Sequence, residues 1–406
     1  MPSRYLSSFG SELGRLQSGG RGKILLAIAA GWGLTIGTRT IYPVLLPHLR
    51  TSYGLTLTGA GALLTVLFVA YALGQLPGGV LADRIGERAT LTLSLLLSSV
   101  ALLLIVLARS SALLFLVTAL FGFGVGFYAI ARFTAIAAIY PEGYGTAVGL
   151  TNAAPELGQA LLPPLAGVVA VTIGWQYGFG FAIPLFVLVA VALWVTFPAH
   201  SVENRAIVDS FSLRTLRYIA IELRNPQVVL ATLVLILGIS IWQAFTGFYP
   251  TYLIEEKGLS SLVASVLFGL YFGSTALIHP ISGVIYDRWN IRYTFLIVGI
   301  SIPALLVLSV TENVVVLVVI SVLLGTFLCF ETSTESYLVS ALPADIEGTG
   351  FGILRTIIFA TGSISPILFG AVADRDLFDE IFLFLAALTL VMIAVATRLP
   401  VAERNS

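Results

Sequence analysis

The stretch that decides the fold is Tyr71-Ala72-Leu73-Gly74-Gln75-Leu76-Pro77-Gly78-Gly79-Val80-Leu81-Ala82-Asp83-Arg84-Ile85-Gly86-Glu87-Arg88. It begins as the end of an apolar run and closes on Asp83, Arg84, Glu87 and Arg88 before a second apolar run begins. Shifting the chain by 204 residues superimposes Gly79, Val80, Asp83, Arg84, Arg88 and Thr90 on Gly283, Val284, Asp287, Arg288, Arg292 and Thr294, six identities in twelve positions. An offset of 205 then matches Glu142, Gly143 and Gly145 to Glu347, Gly348 and Gly350. Two separate landmarks at nearly one spacing read as an internal duplication.

Working outward from that segment, 58% of the 406 residues are hydrophobic, 10% are charged and the mean hydropathy is +0.99, which excludes an ordinary soluble globular domain. Twelve apolar runs are each long enough to cross a hydrocarbon layer of about 30 Å. They span 24–48, 58–81, 88–108, 112–139, 145–173, 178–197, 226–254, 261–286, 292–310, 314–340, 347–373 and 378–397. They lack the ten-residue alternation of an outer-membrane barrel, so the expected fold is an all-α membrane protein with 12 transmembrane helices.

The duplication divides the helices into two pseudo-symmetric six-helix bundles, 24–197 and 226–397. An N-terminal segment 1–23, a linker 198–225 suited to an amphipathic helix on the membrane face, and a tail 398–406 complete the organisation. Residues 1–23 have no apolar core, so no cleavable signal peptide is expected before the first span. Fourteen of the 21 Lys and Arg lie on the side of the termini and only Arg50, Arg109, Lys257 and Arg375 on the other, which predicts cytoplasmic termini.

Zero formal net charge argues against nucleic acid as a partner. The single Cys329 excludes an intramolecular disulfide and a cysteine metal site. No metal-ligand spacing, phosphate loop or nucleophile–base set is present, so neither a cofactor nor an enzymatic activity is expected.

The segment 71–88 resembles the loop 2-3 signature of the major facilitator superfamily, G-x-L-a-D-r-x-G-r-r, and the weaker copy at 283–292 stands between the eighth and ninth spans. An aspartate there faces helix N-termini, whose unpaired N–H groups carry a positive dipole end. Asp83 would hold the eleventh helix near Gly348, and Asp287 the fifth near Gly143. The resemblance implies that these contacts latch the cytoplasmic side, with Gly79, Arg84, Arg88, Gly283, Arg288, Arg292 and Arg355 completing the gating set. The alternative for Asp83, Arg84 and Arg88 is a topological role alone.

Arg39, Arg132, Glu156, Glu331, Glu335 and Arg355 lie inside spans, where an exposed charge costs at least about 2.5 kcal/mol. Arg132 stands nine residues before Pro141, roughly 13 Å along the helix and hence near the midplane, and Glu331 and Glu335 bracket its position in the second half. Helical spacing extends these into stripes: Trp32, Thr35, Arg39 and Tyr42; Asn152, Glu156 and Gln159; Glu331, Thr334 and Glu335.

In the superfamily, spans one, four, seven and ten line the cavity. The resemblance therefore implies a solute site of Arg39, Trp32, Tyr42, Arg132, Tyr128, Gln243, Thr246, Glu331 and Glu335. Two carboxylates four residues apart repel when both are ionised, so Glu331 and Glu335, with Glu156, are the expected proton-coupling groups. The competing reading is that the three Arg and three Glu neutralise one another without touching solute. His279, which matches Gln75 at the 204 offset, is expected to pack or gate.

Thr38-Arg39-Thr40 followed by Leu55, Tyr71, Gln75, Pro77, Gly78 and Gly79 is similar to the organic anion:cation symporter branch, although Thr118 stands where that branch has an arginine. Guanidinium groups suit carboxylates through paired hydrogen bonds. Gly149, Gly158, Pro163 and Gly167 follow part of the antiporter signature of drug and metabolite exporters, with Leu162 and Ala166 replacing two of its glycines. The expected protein is thus a monomeric plasma-membrane carrier, coupled to protons, of a small organic solute, preferably an anion. Drug or metabolite:proton antiport is the alternative, and a scaffold, sensor or lipid-handling protein is the rival class. Midplane charges disfavour that rival, because a scaffold gains nothing from their cost.

Overall fold

A computed structural model describes residues 21–140, 144–198, 222–343 and 347–400. Most of the expected linker helix over 198–225, and Gly143, lie outside the described residues. Among the described residues, twelve helices are long and apolar enough to cross a membrane: α1 Arg21–Tyr53, α2 Leu57–Ile85, α3 Glu87–Leu107, α4 Ser111–Ile139, α5 Thr146–Thr172, α6 Trp175–Thr196, α7 Pro226–Glu255, α8 Ser261–Tyr286, α9 Ile291–Val310, α10 Val314–Ser340, α11 Gly350–Ala373 and α12 Phe378–Ala396. Each coincides with one of the apolar runs, and no strand occurs among the described residues. Helices are the outcome because a backbone in hydrocarbon must satisfy its own N–H and C=O groups.

By contact, the chain groups into two compact units, residues 1–41 with 70–207, and 42–69 with 208–406. In the first unit, α1 packs on α5 through glycines. A Cβ at Gly37 would lie 2.6 Å from the Gly158 backbone, and one at Gly33 would lie 2.6 Å from the Ala154 carbonyl oxygen. Lipid tails are as apolar as leucine, so helices in a membrane gain contact through such close backbone approach. Gly158→Leu should therefore force α1 and α5 apart at a cost of about 1–3 kcal/mol. A lowered midpoint of thermal unfolding in detergent checks this, and an unchanged midpoint would contradict the packing.

The first span is not continuous. It runs as Arg21–Arg39 and Ile41–Tyr53, broken at Thr40, whose hydroxyl donates to the Gly37 carbonyl at 2.7 Å. The boundary between the compact units falls directly after this break. Thr40 is β-branched and bonds its own backbone, both of which weaken a helix interior.

The second unit is knit by aromatic rings. Phe248 of α7 stacks on Phe369 of α11 with centroids 4.8 Å apart, and Tyr252 meets Phe382 of α12 at 4.3 Å. Its α10 is interrupted by a 3-10 turn, Gly325–Leu328. Thr275 of α8 donates to the Gly325 carbonyl at 3.3 Å, and a side chain at Gly325 would strike the Ser274 hydroxyl. The tighter turn thus sits where α8 and α10 come closest.

Candidate solute site and closing contacts

The first unit holds the arginine site. Arg132 on α4 is 4% exposed, and its guanidinium lies 4.3 Å from the Trp32 ring and 4.0 Å from the Phe133 ring. Its Nη1 donates to Asn152 Oδ1 at 2.9 Å and to Thr151 Oγ1 at 3.5 Å, both on α5. Trp32 in turn stacks on Tyr128, with centroids 6.2 Å apart and planes 7° from parallel, and the Tyr128 hydroxyl donates to the Ile28 carbonyl at 2.9 Å. A planar cation over ring faces is held by the ring quadrupole, and burial strengthens that attraction. Four of the expected residues, or their stripe neighbours, are therefore in one cluster: Trp32, Tyr128, Arg132 and Asn152.

Arg39 closes the first helical segment of α1 and is 5% exposed, with its guanidinium 4.9 Å from the Tyr71 ring of α2. It stands seven residues, or about 10 Å, from Trp32 along the same helix. Glu156 on α5 is half-buried. The unit thus carries two intramembrane cations and one carboxylate.

The second unit has the opposite balance. Glu335 of α10 pairs with Arg355 of α11, Oε1 to Nη1, at 2.5 Å. Arg355, expected at the gate, is thus tied to the expected proton-coupling pair, while Glu331, one turn away on α10, is half-buried. Gln243 of α7 is fully buried, and neither end of its amide has a hydrogen-bond partner among the described residues. A buried amide left so is costly unless another polar group reaches it. Thr246 is buried with its hydroxyl on the Trp242 carbonyl, and Tyr42, beyond the α1 break, is wholly buried in this unit. His279 bonds the Leu328 carbonyl of the 3-10 turn at 3.1 Å, a packing contact.

The signature loop lies in the first unit and its copy in the second. Asp83 and Arg84 are exposed, whereas Arg88 lies 4.1 Å over the Trp194 ring of α6, inside its own unit. Gly79 approaches Ile130, but nothing lies within 4 Å of a side chain placed at Gly283. Arg288 and Arg292 are exposed. The side chain of Asp287 lies outside the described residues.

Within the second unit a carboxylate caps a helix N-terminus. Asp374, just past α11, accepts from Leu57 N at 2.8 Å, from Thr58 N at 2.8 Å and from the Thr58 hydroxyl, at the start of α2. Burial opposes ionisation of Asp374, yet the hydrogen bonds from Thr58 and Leu57 outweigh it and hold the carboxyl below the usual carboxylate range. Arg50 and Glu255 form an ion pair at the same end. Side chains at Gly61 or Gly370 would collide with the Pro366 or Leu57 carbonyls. None of these contacts was expected, because the Asp374 bonds join residues 316 and 317 positions apart.

Twelve apolar helices, a repeated sequence landmark, buried arginines in the first unit and half-buried ionisable groups in the second fit a carrier of small solutes. The Major Facilitator Superfamily model matches residues 27–328, and the chain belongs to that family. It is 26% identical over 362 residues to a probable sulfoacetate transporter of Cupriavidus necator, covering 81% of this chain and 82% of the relative. It is 24% identical over 360 residues to a hexuronate transporter of Bacillus subtilis, covering 83% and 84%. Among solved structures it is similar to the nucleoside transporter NupG, with a TM-score of 0.76 and 14% identity over 93% of this chain and 99% of that one. The protein is a multi-pass secondary transporter of a small molecule and not an enzyme.

Of the glycines shared with the antiporter signature, Gly158 has a packing use and Gly149 shows none. Gly158 is the α1–α5 contact, and Gly149 has nothing within 4 Å of an added Cβ.

Proposed function

We propose that this transporter carries a small organic anion, with Arg39 and Arg132 as its anion-binding groups, and couples that movement to protons through Glu331, Glu335 and Glu156. The observation that carries the reading is that Arg39 and Arg132 are both buried against aromatic rings within the spans. A buried guanidinium is retained at such cost where it serves a ligand. Its fork of donors fits a carboxylate or sulfonate. The relatives named for sulfoacetate and hexuronate support the same class.

Gln243 is a neutral partner for the hydroxyl or carbonyl groups of such a solute. Proton coupling rests on Glu331 and Glu335, two carboxylates one turn apart on α10 that repel when both are ionised, with Arg355 beside Glu335. Transport proceeds by alternating access in a monomer of the cell membrane, with both termini cytoplasmic as the distribution of Lys and Arg favours.

Uptake into proteoliposomes from a panel of sugar acids, sulfonates and lipophilic cations, with internal pH recorded, is the deciding experiment. Anion uptake accompanied by acidification is the expected result. Cation flux that is indifferent to Arg39→Gln would defeat the anion reading, and anion flux without proton movement would defeat the coupling.

A further inference from the structure

The internal repeat breaks at one pair of helices. In the first unit α1 and α5 touch through Gly37 and Gly158. At the 204 offset these positions are Ile241 of α7 and Gly362 of α11. Gly362 meets the Ile239 side chain, and a groove of about 660 Å³ opens between α7, α11 and α12, with Ile241 in its wall. That volume lies within the range of about 300–1,000 Å³ typical of small-molecule sites.

The groove is elongated along the helices. On α12 its wall runs from Glu380 to Leu388, about 12 Å, and on α11 from Thr361 to Val372, roughly 16 Å. Ile364, Leu368 and Phe384 are exposed along it and would face acyl chains in a bilayer. Glu380, the one charged residue of the wall, stands in the first turn of α12, at the membrane-interface end.

Two neighbouring carboxylates are occupied. Asp374 caps α2, while Asp379 accepts from Tyr252 and faces Lys257 at 3.5 Å. Glu380 has no ion-pair partner among the described residues. An apolar slot at membrane depth with a lone carboxylate at its mouth complements a lipid whose headgroup carries an ammonium.

We propose that this groove is a binding site for one phospholipid with a primary-ammonium headgroup, its acyl chain along α11 and α12 and its ammonium on Glu380. The site is independent of the transported anion. Titration of the full-length protein in detergent with phosphatidylethanolamine or phosphatidylglycerol of matched chains, read by native mass spectrometry, tests it. The expected result is a single tight adduct, at least about fivefold in favour of phosphatidylethanolamine. Glu380→Gln should erase that preference without altering thermal stability, and Thr361→Trp, which fills the deep end, should weaken both lipids. Equal adducts on the unaltered protein, a preference that survives Glu380→Gln, or retention unaffected by Thr361→Trp would each overturn the assignment.

Discussion

Arg132→Gln should lower the efficiency of organic-anion uptake about a hundredfold while leaving the protein folded. A hydrogen bond to a charged group contributes about 1.5–3 kcal/mol, and tenfold in an equilibrium corresponds to about 1.4 kcal/mol, so loss of one paired contact predicts that factor. Glutamine keeps a donor for Asn152, which accepts from Arg132 at 2.9 Å, and keeps bulk against Trp32. The helix contacts therefore persist while the charge and its fork are lost. Arg132→Lys should recover little, because an ammonium offers a point charge in place of two parallel donors. Initial uptake rates in proteoliposomes, normalised to folded protein, check both variants. Full uptake by Arg132→Gln would remove this arginine from the solute site.

The second large effect is expected at Asp374. Its carboxylate accepts from the first two N–H groups of α2, beside the Thr56 hydroxyl that accepts from Gly59 N at 3.1 Å, and removing such a cap costs about 1–2 kcal/mol, or roughly tenfold in an equilibrium. Residues 42–69 precede the signature loop in the chain, yet they pack with 208–406, so under the alternating access proposed above these contacts would part in each cycle. Asp374→Ala should therefore raise the population in which the α2 start leaves the α11 end. Distances between spin labels at Gly59 and Arg375, measured by double electron–electron resonance, report it directly, and an unaltered distribution would contradict the latch.

The pH dependence has a definite sign. The carboxyl is held below its ordinary value of 3.8, so its contribution is fully present above that value and is lost only as pH falls through the lowered one. The contact should be insensitive to pH near neutrality and weaken only in strong acid. A latch that released between pH 7 and 5 would point to a different group.

How much of this was legible in the chain depends on the range of each interaction. The twelve helices follow from run length and composition alone, because each segment meets the same apolar solvent and satisfies its own backbone. The stripe Trp32, Thr35, Arg39 and Tyr42 follows from helical period, but the break at Thr40 divides it between two compact units. Arg132 was legible as a buried charge. Its ring partner Trp32 and its acceptor Asn152 come from other helices, and only packing brings them together. Arg355 reads as a gate residue from its place in α11, whereas its partner is Glu335, twenty positions away on the neighbouring helix.

The segment 71–88, with its copy 204 residues on, pointed to the family and the duplicated plan, and the apolar runs gave the helix count, since these are properties of local pattern and spacing. Which carboxylate meets which helix end was decided by the tertiary structure alone. A carboxylate caps whatever N–H groups arrive within about 3 Å of it, and that distance depends on how whole helices pack. Asp83, in the recognisable motif, is exposed, while Asp374, in no motif, holds the start of α2.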